Sequence, residues 1–152
     1  MNIHVHKQLS KLPSIFIKNA GIVTAGNASG ICDGATAIII SNEGALKKYN
    51  LKPLARLVGY HKQLSDIDLF DINEAFAPQF LVCQKVLILP NEKRNLNGGA
   101  IALGHACAAS GARITANRVY ELRCRQGKYA IGVACIRGWS RHCFVIGTNL
   151  NI

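Results

Sequence analysis

Apolar residues in this chain fall into short blocks separated by small and polar ones, rather than into one long period. After a loop of small residues, "TAGNASG", the run "ATAIIIS" from Ala35 to Ser41 predicts a buried strand. Ser41 is placed to cap a helix reaching about Asn50, where asparagine suits the left-handed terminating conformation. "PLARLVGY", Pro53 to Tyr60, predicts a second strand. "DIDLFDIN", Asp66 to Asn73, predicts a third, with Ile67, Leu69 and Ile72 apolar. A helix follows from about Glu74 to Leu89, and Pro78 is tolerated there because it falls in the first turn. A longer helix is expected from about Ala108 to Arg125, stopping at Gly127. "KYAIGVAC" and "HCFVIGT" predict two closing strands around a tight turn near Gly138. The fold class is α/β, a mixed sheet with covering helices.

One connection fails on geometry. Parallel neighbours in a sheet need a crossover of a dozen or more residues, usually a helix. Between Tyr60 and Asp66 stands only "HKQLS". Either the two flanking strands pair antiparallel, or a crossover helix has been lost.

At 152 residues the chain is one domain's worth, and an apolar fraction of 49% supports a real core. It has no apolar run long enough to make a membrane-spanning helix. The net charge of +10 is scattered, densest at Arg118, Arg123, Arg125 and Lys128. A solvated helix face accounts for that cluster better than a surface for an anionic ligand. Aromatic residues do not interleave with the basic ones, which argues against nucleic acid as a partner. The six cysteines show no CxxC spacing, and Cys135, His142 and Cys143 match no common zinc arrangement, so no metal is expected. The thiols read as small core residues of a reducing compartment. The segment before Asp33 is basic but lacks arginine and an amphipathic face, so it is no clear transit peptide, and the C-terminal "NLNI" is no peroxisomal address.

Three blocks carry reactive groups where a strand or loop meets a turn: Asn73 in "NEAFAP", His105 in "GGAIALGH" and Cys135 in "ACIRG". Loops at strand ends are where α/β proteins build sites. Singly, the asparagine reads as a helix cap, the cysteine as core and the histidine as structural. His105 is unusual in its surroundings, since "NGGAIALGHACAASGARI" places almost nothing bulky beside it. That leaves room for a ligand.

Together and in this order, "VTAGNASG", "DINEAFAPQF", "NGGAIALGH" and "YAIGVACI" resemble the thiolase family, specifically the C-terminal half of a 3-ketoacyl-CoA thiolase of the mitochondrial type. The resemblance runs from about Lys11 to Gly147. It implies half of a layered α/β sandwich, with residues 1–20 a remnant of the preceding half or an extension and 21–152 the C-terminal domain. It implies cleavage of 3-ketoacyl-CoA by free CoA in fatty-acid β-oxidation, or the reverse condensation, through an acyl-cysteine intermediate. Coenzyme A is then a substrate, with no permanently bound cofactor. The partners implied are acyl-CoA and a homo- or hetero-oligomer with thiolase, and the family's compartment is the mitochondrial matrix.

By the same resemblance, His105 activates the nucleophilic cysteine and holds the thioester oxygen. Cys135 is the acid/base thiol at the carbon being joined or cleaved. Asn73 orients a water in an oxyanion hole, while Ser29 and Phe76 touch the pantetheine arm of CoA. The family's nucleophile and main CoA loop belong to a half this sequence does not include, so the isolated chain is expected to be inactive, or to be a non-catalytic fragment that pairs with intact thiolase or is degenerate. Two motifs depart from the family's pattern. Ala106 and Ala108 stand where it has proline and glycine, and Arg137 and Trp139 interrupt a glycine run after Cys135 that supplies an oxyanion N–H.

Overall fold

The computed structural model describes residues 3–59, 62–134 and 142–148. Its elements in chain order are α1 (Ile3–Leu9), α2 (Glu43–Lys48), β1 (Arg56–Leu57), β2 (Leu69–Ile72), α3 (Ala77–Leu87), α4 (Ala100–Leu103), α5 (Ser110–Arg125), β3 (Tyr129–Ala134) and β4 (His142–Gly147). Short 3₁₀ turns at Leu64–Asp66 and Asn91–Lys93 lie between them. The four strands form one mixed sheet in the order β1-β4-β3-β2. β2 runs parallel to β3, pairing Leu69 with Ala130 and Ile72 with Val133. β3 and β4 are antiparallel, as are β4 and β1.

The period of two along β2 divides the core between the two faces of the sheet. Phe70 and Ile72 point to one side and pack with Ile67, Phe80 of α3, Leu89 and Val145. Leu69 points to the other and packs with Leu122 of α5, Ala130 and Ile146. On the α5 side the sheet must come close to the helix. A methyl group on Gly132 of β3 would fall 2.5 Å from the Phe144 ring and 2.9 Å from Ile114, so glycine is required at that contact. The same face buries a charge pair. Arg118 Nε stands 3.1 Å from Asp71 Oδ2, with both side chains 0% exposed. Burial pushes the Asp71 carboxyl above its usual value despite the nearby Arg118 and Arg113, and it pulls Arg118 below its own.

The later elements follow the expected pattern closely, with α3 and α5 each starting two or three residues later than the spacing predicts. α5 ends through Gln126 in the left-handed conformation, with Gly127 N–H donating to Leu122 O. The turn expected near Gly138 lies outside the described residues. The earlier part differs more. Asn42, not Ser41, caps α2 by accepting from Ala45 N–H, although Asn50 is left-handed as expected. Ala35–Ser41 is not a buried strand: among the described residues no strand pairs with it, and Ile39 is 94% exposed. A β-branched run favours extended backbone but cannot specify a partner.

The difficult connection is solved in a way the spacing did not suggest. β1 is only two residues long and does not pair with β2; the two occupy opposite edges of the sheet. Leu57 lies opposite Ile146, Ile146 opposite Ala130 and Ala130 opposite Leu69, so both strands sit at the same level. The chain therefore has to travel only sideways, across three strand spacings or roughly 14 Å. The link from Val58 to Asp68 can reach that far without a helix, and the Leu64–Asp66 turn is its one regular element among the described residues.

Breaking the buried pair leaves a charge with no compensation, which typically destabilises by about 3–5 kcal/mol. Arg118→Met should lower the unfolding free energy by about that much in urea denaturation, and the Asp71→Leu/Arg118→Met double variant should recover most of it. A single-variant loss below about 1 kcal/mol, the value of an exposed pair, would show that the two charges are not buried in solution.

Candidate active site

The open edge of β2 and the start of α5 converge through one loop, residues 27–32. Asn27 O accepts from Ala77 N–H at 2.8 Å, Ala28 bridges to Phe76, and Ser29 N–H donates to Ala75 O at 2.9 Å. On its far side, Gly30 O accepts from His105 N–H at 2.8 Å, Ile31 bridges to His105, and Cys32 N–H donates to His105 O at 3.4 Å. The loop thus ties the segment after β2 to the segment before α5. Gly104 makes the close approach possible: its φ is +90°, and a methyl group there would meet Cys32 Sγ at 2.6 Å.

Asn73 is the first residue beyond β2. Its backbone N–H continues the ladder by donating to Val133 O at 2.9 Å, and its side chain is buried. Asn73 Nδ2 lies 3.2 Å from His105 Nε2. His105 Nδ1 lies 2.8 Å from Ser110 Oγ, and the Ser110 hydroxyl donates to Ala106 O at 3.0 Å. This network assigns the tautomer. With its own proton on Ala106 O, Ser110 Oγ accepts from His105 Nδ1–H, so Nε2 carries the lone pair and accepts from Asn73. Burial, with a smaller contribution from Arg113, holds the imidazole below its usual value of 6.5. His105 is therefore a neutral base at neutral pH, half-buried and oriented from both sides. The Asn73 Oδ1 atom is buried and has no donor among the described residues.

The structure brings Asn73 and His105 into contact, although they are distant in sequence. Ser29 lies in the loop and Phe76 in the segment after β2 that bridges to Ala28, but the Ser29 hydroxyl is engaged with Ala75 O at 3.1 Å. The half-buried Phe76 ring meets Phe16 edge to face, with centroids 5.3 Å apart. Cys135, Arg137 and Trp139 lie outside the described residues, and the strand leading to them ends at Ala134. Ala106 fills space against Gly34, where a methyl group would meet its Cβ at 2.8 Å, while Ala108 is exposed. Ser110 was missed in the sequence; its only signal was its position five residues after His105, in a turn opening a helix. Among the described residues no group of three or more His, Cys, Asp or Glu side chains could hold a metal ion. Nor is any helix there long and apolar enough to cross a membrane.

The depressed histidine sets the sign of the pH response. The unfolded chain takes up the proton first, so the stability that neutral His105 contributes is full above 6.5 and is lost as pH falls below it. NMR titration of the ring nitrogens should give a midpoint below 6.5, with Nε2 the unprotonated atom at neutral pH. Ser110→Ala should release the tautomer, giving a mixture of the two ring forms in the nitrogen shifts.

Comparison with known proteins adds the family. Residues 51–148 match the thiolase C-terminal domain, and residues 3–44 match the thiolase N-terminal domain. The chain is 53% identical to mouse mitochondrial 3-ketoacyl-CoA thiolase over 157 positions, covering 87% of this chain and 39% of the relative. That alignment is longer than the chain itself, so the mouse protein carries residues within the aligned span that this chain lacks. Acetyl-CoA acetyltransferase of Escherichia coli K12 is 42% identical, over 84% of this chain and 39% of that protein. The crystal structure of human mitochondrial 3-ketoacyl-CoA thiolase in complex with CoA superposes with a TM-score of 0.86 at 48% identity, covering 94% of this chain and 42% of that one. The chain thus spans about two-fifths of the length of these relatives. With both domain models matched and a shared fold, it belongs to the thiolase family.

Proposed function

We propose that this chain supplies the base and enolate-stabilising side of a thiolase site that cleaves 3-ketoacyl-CoA with CoA, or condenses acyl-CoA units in reverse. The observation that carries the reading is the contact of Asn73 with the unprotonated Nε2 of a neutral His105. The nucleophilic cysteine comes from thiolase residues beyond these 152. His105 Nε2, giving up its bond to Asn73, takes the proton of that thiol. The thiolate attacks the keto carbon, the bond between C2 and C3 breaks, and its electron pair becomes the enolate of the departing thioester. The imidazolium then donates to a thioester oxygen, and Asn73, whose Oδ1 is buried with spare acceptor capacity, orients a water beside it. Cys135 gives its proton to the enolate carbon to release acetyl-CoA. The free CoA thiol gives its proton to the Cys135 thiolate and attacks the acyl-cysteine carbonyl; acyl-CoA leaves, and the released cysteine thiolate takes back its proton from the imidazolium. Ser29 and Phe76 line the approach of the pantetheine arm. Relatives described as mitochondrial support the mitochondrial matrix as the compartment and β-oxidation as the setting.

A second reading is favoured by the apolar side chains left open at Ile38, Ile39 and Ile40 and along α3 at Leu81, Val82 and Val86. In that reading the chain pairs with thiolase subunits as a non-catalytic module.

Mixing the chain with a thiolase N-terminal half that carries the nucleophilic cysteine decides between them. On the first reading, thiolysis of a 3-ketoacyl-CoA appears in the mixture and not with either part alone. His105→Ala or Asn73→Ala then lowers it by about a hundredfold or more. Stable association without turnover would establish the second reading and end the first.

A further inference from the structure

Asn95 lies just after the Asn91–Lys93 turn, in the left-handed conformation with φ +40°. Its backbone N–H donates to Phe70 O at 2.9 Å, which docks the segment along the open edge of β2. Its side chain reaches further along that edge. Oδ1 accepts from Ile72 N–H at 2.9 Å, and Nδ2 donates to Ile72 O at 2.9 Å and to Glu74 Oε1 at 2.9 Å. One carboxamide therefore does what a residue of a neighbouring strand would do for Ile72, then holds the side chain two residues on.

The residue between those two anchors is Asn73, whose own N–H is tied inward to Val133 O. The clamp extends toward His105 as well. The Glu74 carboxylate lies so close against Gly99 that a methyl group there would fall 2.0 Å from Glu74 Cδ. Gly99 opens α4, and α4 leads through Gly104 to His105. We propose that Asn95 is the positioning residue of this site: by bonding the chain on either side of Asn73 it fixes where the Asn73 carboxamide meets His105. The proposal rests on Asn73 and His105 forming one site.

Asn95→Gly isolates the side chain, because glycine accepts the positive φ and retains the N–H to Phe70. The readout is NMR of the labelled chain across the titration of His105. Protonating Nε2 removes the acceptor for Asn73 Nδ2, so in the unsubstituted chain the Asn73 side-chain amide signals should move with the imidazole. In Asn95→Gly that response should shrink to that of an asparagine outside the site, such as Asn42 at the start of α2. Leu122→Ala, which opens the core on the α5 face without touching Ile72 or Glu74, should lower the melting temperature and leave the response intact. An undiminished response in Asn95→Gly, or equal loss in Leu122→Ala, would overturn the proposal. Absence of the response from the unsubstituted chain would instead remove the site itself and the clamp with it. If Asn95→Gly does not fold, Asn95→Asp keeps the acceptor for Ile72 N–H but loses both donated bonds. Loss of the response there supports the clamp, and retention overturns it.

Discussion

Among the described residues β2 has a strand on one side only, and each peptide group along its open edge must find a partner elsewhere. Phe70 O takes the N–H of Asn95, Ile72 takes the Asn95 side chain, and Ala75 O takes both the N–H and the hydroxyl of Ser29. A second strand there would have satisfied the same groups. It would also have left no loop at the end of β2 and no path from it to His105. The site exists because the edge is completed by irregular chain, and that irregular chain carries the functional groups.

Electrostatics work on the same small region from the α5 face. Asp71, two residues before Asn73, points under α5 into a layer shared with Arg118 and within reach of Arg113, while Arg113 also acts on His105. An imidazolium at position 105 is disfavoured twice, by burial and by Arg113. The ion pair and the histidine lie on the same α5 side of the sheet, and Arg113 acts on both Asp71 and His105. A base held neutral is ready to accept a proton, and Ser110 decides which nitrogen does so.

Much of this was legible in the residues. The short apolar runs in "DIDLFDIN" and "KYAIGVAC", and the helical stretches bounded by Pro78 and Gly127, place β2, β3, α3 and α5. Asn73 and His105 were legible as motifs, since each stands where an element ends. What stayed hidden depends on partners distant in sequence. Nothing local in "ATAIIIS" says whether another strand will pair with it. Nothing in "PLARLVGY" says that, among its described residues, only Arg56 and Leu57 form a strand on β4. The parts played by Ser110 and Asn95 arise only when α5 and the loop after α3 have docked, because a hydroxyl or a carboxamide has no direction until its acceptors are fixed in space.

The open Ala35–Ser41 run has a consequence for the chain in solution. It carries no charge and no proline, is rich in isoleucine, and pairs with no strand among the described residues. Such a segment is a template for intermolecular cross-β growth. Colloidal behaviour at concentration, more than the strength of the core, then governs how this polypeptide can be handled, and a charged residue at Ile39 is the simplest gatekeeper against fibril formation.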